Sequence, residues 1–260
     1  MSLSYELFDF NVLRLDEDAL GPFLRSLCDQ GYCGVNVTHP YKQSVMQVLD
    51  EIEDGAILVG AVNTVAMRDG RLTGYNTDMR GFRDSFVRGL PGASLERVLQ
   101  LGAGGAGAAA ACAILSLGAK RLEITDIRSE RAEELAARLR PRFPASQIIV
   151  RDAAAHDTTG VSGVVNTTPI GMSGHPGSPI EESRLDSSLW VVDVVYFPLE
   201  TQLLHQARLR GCRVLDGSGM VILQAAQAFQ ILTGVVPDAA RMARSFHQIP
   251  QDRDQLGASI

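Results

Sequence analysis

Residues 97–118 read RVLQLGAGGAGAAAACAILSLG, an apolar run, a turn with four glycines in six positions, and an alanine-rich run closed by glycine. This stretch limits the possible folds more than any other. Five apolar-rich residues bounded by glycine have the length of a buried strand, and the small residues that follow suit a helix lying close on that strand. Gly102 permits a tight turn, Gly104 lets the backbone approach a ligand, and Gly107 lets helix and strand pack closely. The helix starts at the turn, so its unpaired N–H groups and positive dipole end sit at Gly102-Ala103-Gly104-Gly105-Ala106-Gly107. Strand, glycine turn and helix in this order predict a site for a dinucleotide pyrophosphate. A turn that only serves packing is the competing reading.

The chain beyond the turn fits that prediction. RLEITD reads as a second strand, RSERAEELAARLR as a second helix and QIIV as a third strand, completing a β-α-β-α-β unit. Asp126 ends the second strand, 19 residues after Gly107, where an acid can accept hydrogen bonds from ribose hydroxyls and repel a 2′-phosphate. That favours NAD over NADP, with a helix-capping Asp as the alternative. Arg128 either opens the solvated RSERAEE face or pairs with a 2′-phosphate, so NADP use stays open. Further strands are expected at Gly163–Asn166, Leu189–Val194 and Arg213–Leu215, with a helix near Thr201–Leu209. Helices over Met220–Leu232 and Asp238–His247 follow.

Upstream of residue 97 the pattern is also α/β. YELFDFNV reads as a strand, and Asp16-Glu17-Asp18 caps an amphipathic helix reaching Leu27 and closed by Gly31. Tyr32 to Val37 reads as a strand, and a helix is expected from Lys42 to Leu49. Val62–Met67 and Leu72–Tyr75 flank an Asp69-Gly70 hairpin turn. A helix from about Asp78 to Gly89 carries Phe82 and Phe86 on one face. The fold class is α/β with two domains. Residues 1–85 and 218–260 are expected to form a substrate domain, and residues 86–217 a Rossmann-type nucleotide domain.

Composition narrows the function. Of 260 residues, 45% are apolar and 21% charged, with a net charge of −6, which disfavours a nucleic-acid surface. No apolar stretch has the roughly 18 residues of a membrane span, and MSLSYELFDF lacks the basic-then-apolar pattern of a secretory signal. Cys28, Cys33, Cys112 and Cys212 have no C-x-x-C spacing and read as buried free thiols of a cytoplasmic protein. No grouping has metal-ligand spacing, so no metal is expected. His39, before proline, and His175, in a Gly-His-Pro-Gly loop, read as structural and as exposed.

Three segments of the first domain are unusually polar: Asn36–Lys42, Gly60–Thr64 and Gly74–Asp78. They offer hydroxyl, amide, ammonium and carboxylate groups suited to a polyhydroxylated acid; caps and turns are the alternative. In order, G-V-N-V-T-H-P-Y-K, G-A-V-N-T, G-Y-N-T-D, L-G-A-G-G-A-G, N-T-T-P-I-G-M, D-V-V-Y-F-P and G-M-V-I-L-Q-A closely resemble the shikimate/quinate dehydrogenase family. The resemblance runs from about Tyr5 to about His247. It is closest to the NAD-dependent branch, where an acid also follows the second nucleotide-domain strand.

The resemblance implies an active site in a cleft between two α/β domains, with the C-terminal helices returning to the first. It implies oxidation of the ring C3 hydroxyl of shikimate or quinate, with hydride passing to NAD or NADP. Lys42 and Asp78 match the catalytic pair. Thr38, Asn63, Tyr196 and Gln224 match substrate contacts. Asn166, Thr167 and Thr168 match the loop past the cofactor, and Gly219 and Met220 positions near the nicotinamide. Lys42 and Asp78 are expected to titrate as a coupled pair. Family members usually begin with a further strand and helix bearing an S-x-S pair; Ser2 and Ser4 stand elsewhere and are not equated with it. Either the start of the chain is misassigned, or the first strand of the family and half of its carboxylate site are missing. A related cyclic polyol acid such as aminoshikimate, or an NAD-binding homologue with impaired catalysis, are the alternatives. A monomer or homodimer is expected.

Overall fold

Strand order, more than strand content, decides what each part of this chain can bind. The computed structural model describes residues 4–13, 16–38, 40–152 and 157–248, and the chain packs as two units, Met1–Asn76 and Thr77–Ile260.

The first unit is built on a four-stranded mixed sheet of β1 (Gly34–Asn36), β2 (Glu51–Ile52), β3 (Thr64–Arg68) and β4 (Arg71–Tyr75), in the order β1-β3-β4-β2. The β3–β4 hairpin turns on Asp69 and Gly70, at φ 50° and 75°, the doubly positive pair of a tight two-residue turn. Helices α1 (Phe10–Leu13), α2 (Leu20–Asp29) and α3 (Asp54–Val59) complete the unit. A short 3-10 turn at Glu17–Ala19 leads into α2, with Asp16 Oδ1 accepting from the Ala19 N–H at 3.1 Å, as its capping position predicts. Leu20, Leu24 and Leu27 of α2 close on Val65, Met67 and Leu72 to form the core. The helix expected over Lys42–Leu49 is instead a turn and a 3-10 segment, Ser44–Val48.

The strand expected at YELFDFNV does not form. Alternate residues do point inward, Phe8 against Phe23 and Tyr32, and Phe10 against Phe23 and Tyr41. Tyr5 and Leu7 stay outside. Among the described residues no strand lies alongside to complete a ladder, and the chain turns helical at Phe10.

The second unit opens with α4 (Thr77–Gly89) and contains a six-stranded parallel sheet. Its strands are β5 (Arg97–Leu101), β6 (Arg121–Thr125), β7 (Gln147–Val150), β8 (Gly163–Asn166), β9 (Trp190–Asp193) and β10 (Arg213–Leu215), in the order β10-β9-β8-β5-β6-β7. Connections run outward in opposite directions from β5 and β8, so the order reverses between them. In open α/β sheets that reversal leaves a crevice at the carboxyl ends of the strands where ligands bind. Helices α5 (Gly105–Ser116), α6 (Ser129–Leu139) and α7 (Gln202–Leu209) cover the sheet. Residues 107–115 of α5 are all buried, which its alanines allow by keeping the helix close to the strands. Helices α8 (Ser218–Thr233) and α9 (Ala239–His247) end the described chain, and α8 returns to α4, the helix expected to close the first domain. A Cβ at Gly81 of α4 would lie 2.8 Å from Met220 O and 2.9 Å from Gln224 N, so the two helices touch backbone to backbone.

The four cysteines are free. Cys112 and Cys212 are buried, but Cys28 in α2 is only half-buried and Cys33 before β1 is exposed, so burial was overestimated for these two. His175 is exposed as expected, and His39 lies outside the described residues.

Candidate functional site

The glycine turn falls at the carboxyl end of β5, beside the β5/β8 reversal. Gly102 takes φ 97°, its N–H donating to Thr125 O at 2.7 Å, and a Cβ there would meet Thr167 Oγ1 at 2.8 Å. A Cβ on Gly107 would sit 2.5 Å from Gly102 O and 2.9 Å from Thr167 Oγ1. These two positions must be glycine for the turn to close on itself. Gly104 and Gly105 differ: a Cβ on either would meet nothing within 4 Å. They border open space at the N-terminus of a twelve-residue helix whose first N–H groups have no side-chain cap. That combination of room, dipole and N–H donors fits a dinucleotide pyrophosphate.

Two side chains hold the turn in shape. Thr167 Oγ1 donates toward Leu101 O and Gly102 O, at 2.8 and 2.9 Å. Gln100, fully buried in β5, donates both amide hydrogens of Nε2, to Gly102 O and Gly107 O, each at 2.9 Å. Its Oε1 is buried with no partner, an unmet acceptor costing about 1–3 kcal/mol. Gln100 was not among the residues expected at the site. Its only signal in the sequence is one amide interrupting the run V-L-Q-L.

Asp126 follows β6, and its carboxylate is fixed from two sides. The Ala103 N–H donates to Oδ2 at 2.8 Å and the Arg128 N–H to Oδ1 at 2.9 Å. The acid is thereby tied to the glycine turn itself. Arg128 is the exposed N-cap position of α6, and Ile127 between them is 92% exposed.

The loop after β8 is organised from within. Asn166 is fully buried, with Nδ2 donating to Asp193 Oδ1 (2.9 Å) and Ile170 O (3.2 Å), and Oδ1 accepting from the Thr168 N–H (3.0 Å) and hydroxyl (2.7 Å). Its side chain is thus committed to the loop, while Gly104 and Gly105 keep their open side. Asp193, at the end of β9, also accepts from the Val195 N–H (3.0 Å) and the Thr201 hydroxyl (2.7 Å). Burial pushes its carboxyl up to about 6, against the lowering effect of the three hydrogen bonds. Tyr196 beyond it is 46% exposed, its ring centroid 6.5 Å from that of Phe246. On α8, Gln224 Oε1 accepts from the Thr77 hydroxyl at 3.2 Å. Met220 is buried, and a Cβ at Gly219 would collide with Ser85 Oγ.

In the first unit the polar segments meet at one end of the sheet. Asn36 pairs in register with Thr64, and Thr64 with Tyr75. The Asn63 N–H donates to Tyr75 O (3.0 Å) and Asn63 O accepts from the Val37 N–H (2.9 Å). Asn63 is buried and its Oδ1 accepts from the Thr64 hydroxyl at 3.1 Å. Thr38 is exposed beyond β1. Lys42 is held by its carbonyl, which accepts from the Val62 N–H at 2.7 Å. Asp78 lies in the first turn of α4, in the second unit, and is 9% exposed.

The chain is similar to known proteins over most of its length. Residues 1–65 match the family model described as the shikimate dehydrogenase substrate binding domain. The chain is 47% identical over 247 residues to a shikimate dehydrogenase (NADP(+)) of Pseudarthrobacter chlorophenolicus, spanning 94% of this chain and 84% of that protein. It is 43% identical over 239 residues to a quinate/shikimate dehydrogenase (NAD(+)) of Corynebacterium glutamicum, with 89% and 84% covered. Among solved structures, quinate dehydrogenase from Corynebacterium glutamicum in complex with NAD superposes with a TM-score of 0.85 at 42% identity, covering 88% of this chain and 83% of that one. With identity of this order across both units and the same two-domain α/β fold, the chain belongs to the shikimate/quinate dehydrogenase family.

Proposed function

We propose that this enzyme oxidises the C3 hydroxyl of shikimate or quinate to the ketone, and catalyses the reverse reduction, with NAD as its preferred nicotinamide. The observation that carries the cofactor preference is Asp126, fixed by the N–H groups of Ala103 and Arg128 directly beside the glycine turn. A carboxylate so held accepts hydrogen bonds from ribose hydroxyls and repels a phosphate at the 2′ position. A second reading, use of NADP as well, is favoured by the exposed Arg128 and by the NADP-named relatives.

The nicotinamide, when bound, supplies the acceptor and donor of hydride. This chain supplies the rest. Gly102 to Gly107 hold the pyrophosphate through backbone N–H groups, and Thr167 and Thr168 line the adjoining loop. Gly219 and Met220 border the nicotinamide. Thr38, Asn63, Tyr196 and Gln224 hold the substrate by its hydroxyls and carboxylate. Lys42 and Asp78 handle the proton that leaves the hydroxyl, which requires a group within about 3 Å of that oxygen. In functional terms residues 1–85 and 218–260 chiefly bind the substrate and residues 86–217 chiefly the dinucleotide, with Tyr196 serving the substrate and Gly219 and Met220 the nicotinamide across that division.

Steady-state assays with quinate and shikimate, each with NAD and NADP at alkaline pH, test the reading. The expected result is a higher kcat/KM with NAD for at least one of the two acids. A higher kcat/KM with NADP for both would overturn the cofactor assignment, and no turnover of either acid the substrate assignment.

A further inference from the structure

We propose that Asp193 is a positioning residue for the reaction, a buried carboxylate that ties the loop after β8 and the loop after β9 to one anchor at the carboxyl edge of the second unit's sheet. The inference rests on the proposed dehydrogenase function, because it treats those loops as the borders of the cofactor and substrate.

The geometry is specific. Oδ1 receives the Asn166 amide and the Val195 N–H, and Oδ2 the Thr201 hydroxyl, so one carboxylate joins β8, the start of the Tyr196 loop and the N-cap of α7. Each partner passes the constraint on. Asn166 Oδ1 holds the Thr168 N–H and hydroxyl, and Thr168 Oγ1 accepts from the Ile170 N–H at 3.2 Å. Thr167, between them, grips the carbonyls of the glycine turn. The Thr201 hydroxyl oxygen accepts from the Leu204 N–H at 3.3 Å, capping α7, and a Cβ at Gly171 would lie 3.3 Å from Thr201 Cβ, so the first loop folds over the cap. Val195 leads directly to Tyr196.

A neutral side chain could not play this part equally well. The carboxylate accepts three hydrogen bonds and donates none, and all three partners present hydrogens. An amide in its place would turn an NH2 group toward one of these donors. The groups that bear on Asp193 from β8, from the loop after β9 and from α7 are Asn166, the Val195 N–H and Thr201, all uncharged. Among the described residues no cation bears on it, so burial governs its titration; as pH falls through about 6 the added proton takes an acceptor position from the anchor, while neutralising the buried charge favours the folded chain as a whole.

The test compares the whole wild-type enzyme with Asp193→Asn and Thr201→Val. In wild type, kcat is expected to fall below about pH 6, where Asp193 gains its proton. Asp193→Asn is expected to lower kcat about tenfold or more, the scale of one charge-assisted hydrogen bond, and to abolish that acidic limb. Thr201→Val removes a bond to the charged form and should move the limb to higher pH, which keeps the proposal testable if Asp193→Asn fails to fold. Wild-type kcat in Asp193→Asn, or an acidic limb unmoved in Thr201→Val, overturns the proposal. A wild-type enzyme inactive on both acids with both nucleotides would instead count against the proposed function. Hydrogen exchange and NADH fluorescence then decide the positioning role alone: faster exchange at Thr168, Ile170 and Val195 with weaker NADH binding in the folded variant supports it, and unchanged exchange and binding overturn it.

Discussion

Asp126 and the glycines beside it show how one residue type serves different purposes a few positions apart. Removing the Asp126 carboxylate leaves the N–H groups of Ala103 and Arg128 without their acceptor and removes the charge proposed to discriminate against a 2′-phosphate. Asp126→Ala is therefore expected to lower kcat/KM for NAD by about 10- to 100-fold, the worth of a charge-assisted hydrogen bond, and to lower it less for NADP; steady-state kinetics with both nucleotides measure the ratio. Gly107→Ala places a methyl 2.5 Å from Gly102 O, which forces α5 away from the turn and should cost about 1–3 kcal/mol in a denaturant melt. Gly104→Ala has φ −73° and open space, so stability should stay within about 0.5 kcal/mol of wild type while nucleotide binding weakens. If both alanines destabilise alike, the open side of the turn is not the binding face. Lys42→Ala and Asp78→Ala are each expected to reduce kcat by about 10²- to 10⁴-fold, the usual contribution of a proton-handling group, with little change in NADH affinity by fluorescence titration.

Elements whose partners lie nearby were legible; contacts made across the chain were not. The β5-α5-β6-α6-β7 succession was readable because hydrophobic period, glycine punctuation and length are local properties, and the Asp69-Gly70 hairpin because its turn chemistry is local too. YELFDFNV alternates like a strand, yet a strand exists only with a partner, and pairing is not written in alternation. The polar residues inside apolar strands were equally silent. Glu123, fully buried in β6, draws its partners from β5, from the residue after β7 and from its own strand: Arg97 Nε at 2.8 Å, Arg151 Nη1 at 2.7 Å and Arg121 Nε at 2.6 Å, the last out of hydrogen-bonding alignment. Burial alone would raise its carboxyl pKa, but the bonds from Arg97 and Arg151 outweigh it and the net shift is downward. Its stabilising effect is accordingly present above the usual glutamate pKa of about 4.3 and lost as pH falls through the lower, native one. Glu123→Ala should cost about 3–5 kcal/mol at pH 7, because three guanidinium groups lose their counter-charge, and this deficit should narrow in acid. Asp193 has the opposite sign. Its native pKa of about 6 exceeds the ordinary aspartate value of 3.8, so the stability it contributes falls as pH rises between those values and is constant above them. Subtracting the urea-derived stability of Asp193→Asn from wild type across pH 4 to 7 should isolate that slope, on the order of 3 kcal/mol in total.

At the scale of the whole chain, the proposed roles fall unevenly on the two units: the first carries Lys42, Thr38 and Asn63, and the second carries the dinucleotide contacts together with Asp78, Tyr196 and Gln224. The second unit carries all of the proposed dinucleotide contacts, from the glycine turn through Asp126 and the loop after β8 to Met220 on α8. The mixed sheet of the first gathers Asn36, Asn63, Thr64 and Lys42 at one end, with backbone bonds from Asn63 to Tyr75 and Val37 holding its strands together there. Asp78 stands three residues past Tyr75 in sequence and opens α4, the element with which the second unit begins. A division of this kind has a measurable consequence. A ligand that binds only the native form stabilises it by RT ln(1 + [L]/Kd), about 2.7 kcal/mol at a hundred times Kd, or about 5–10 °C in melting temperature for a chain of this size. NADH should produce that shift and should slow amide exchange at Ala103 to Gly107 and Thr167 to Thr168, while NADPH at equal concentration should do less of both if, as proposed, Asp126 repels a 2′-phosphate. Shikimate or quinate alone should slow exchange at Asn36 to Thr38 and Asn63 to Thr64 and leave the glycine turn unchanged. Protection of the turn by NADPH equal to or greater than that by NADH would place the cofactor preference on Arg128 instead of Asp126, and Arg128→Ala would then be the variant that reverses it.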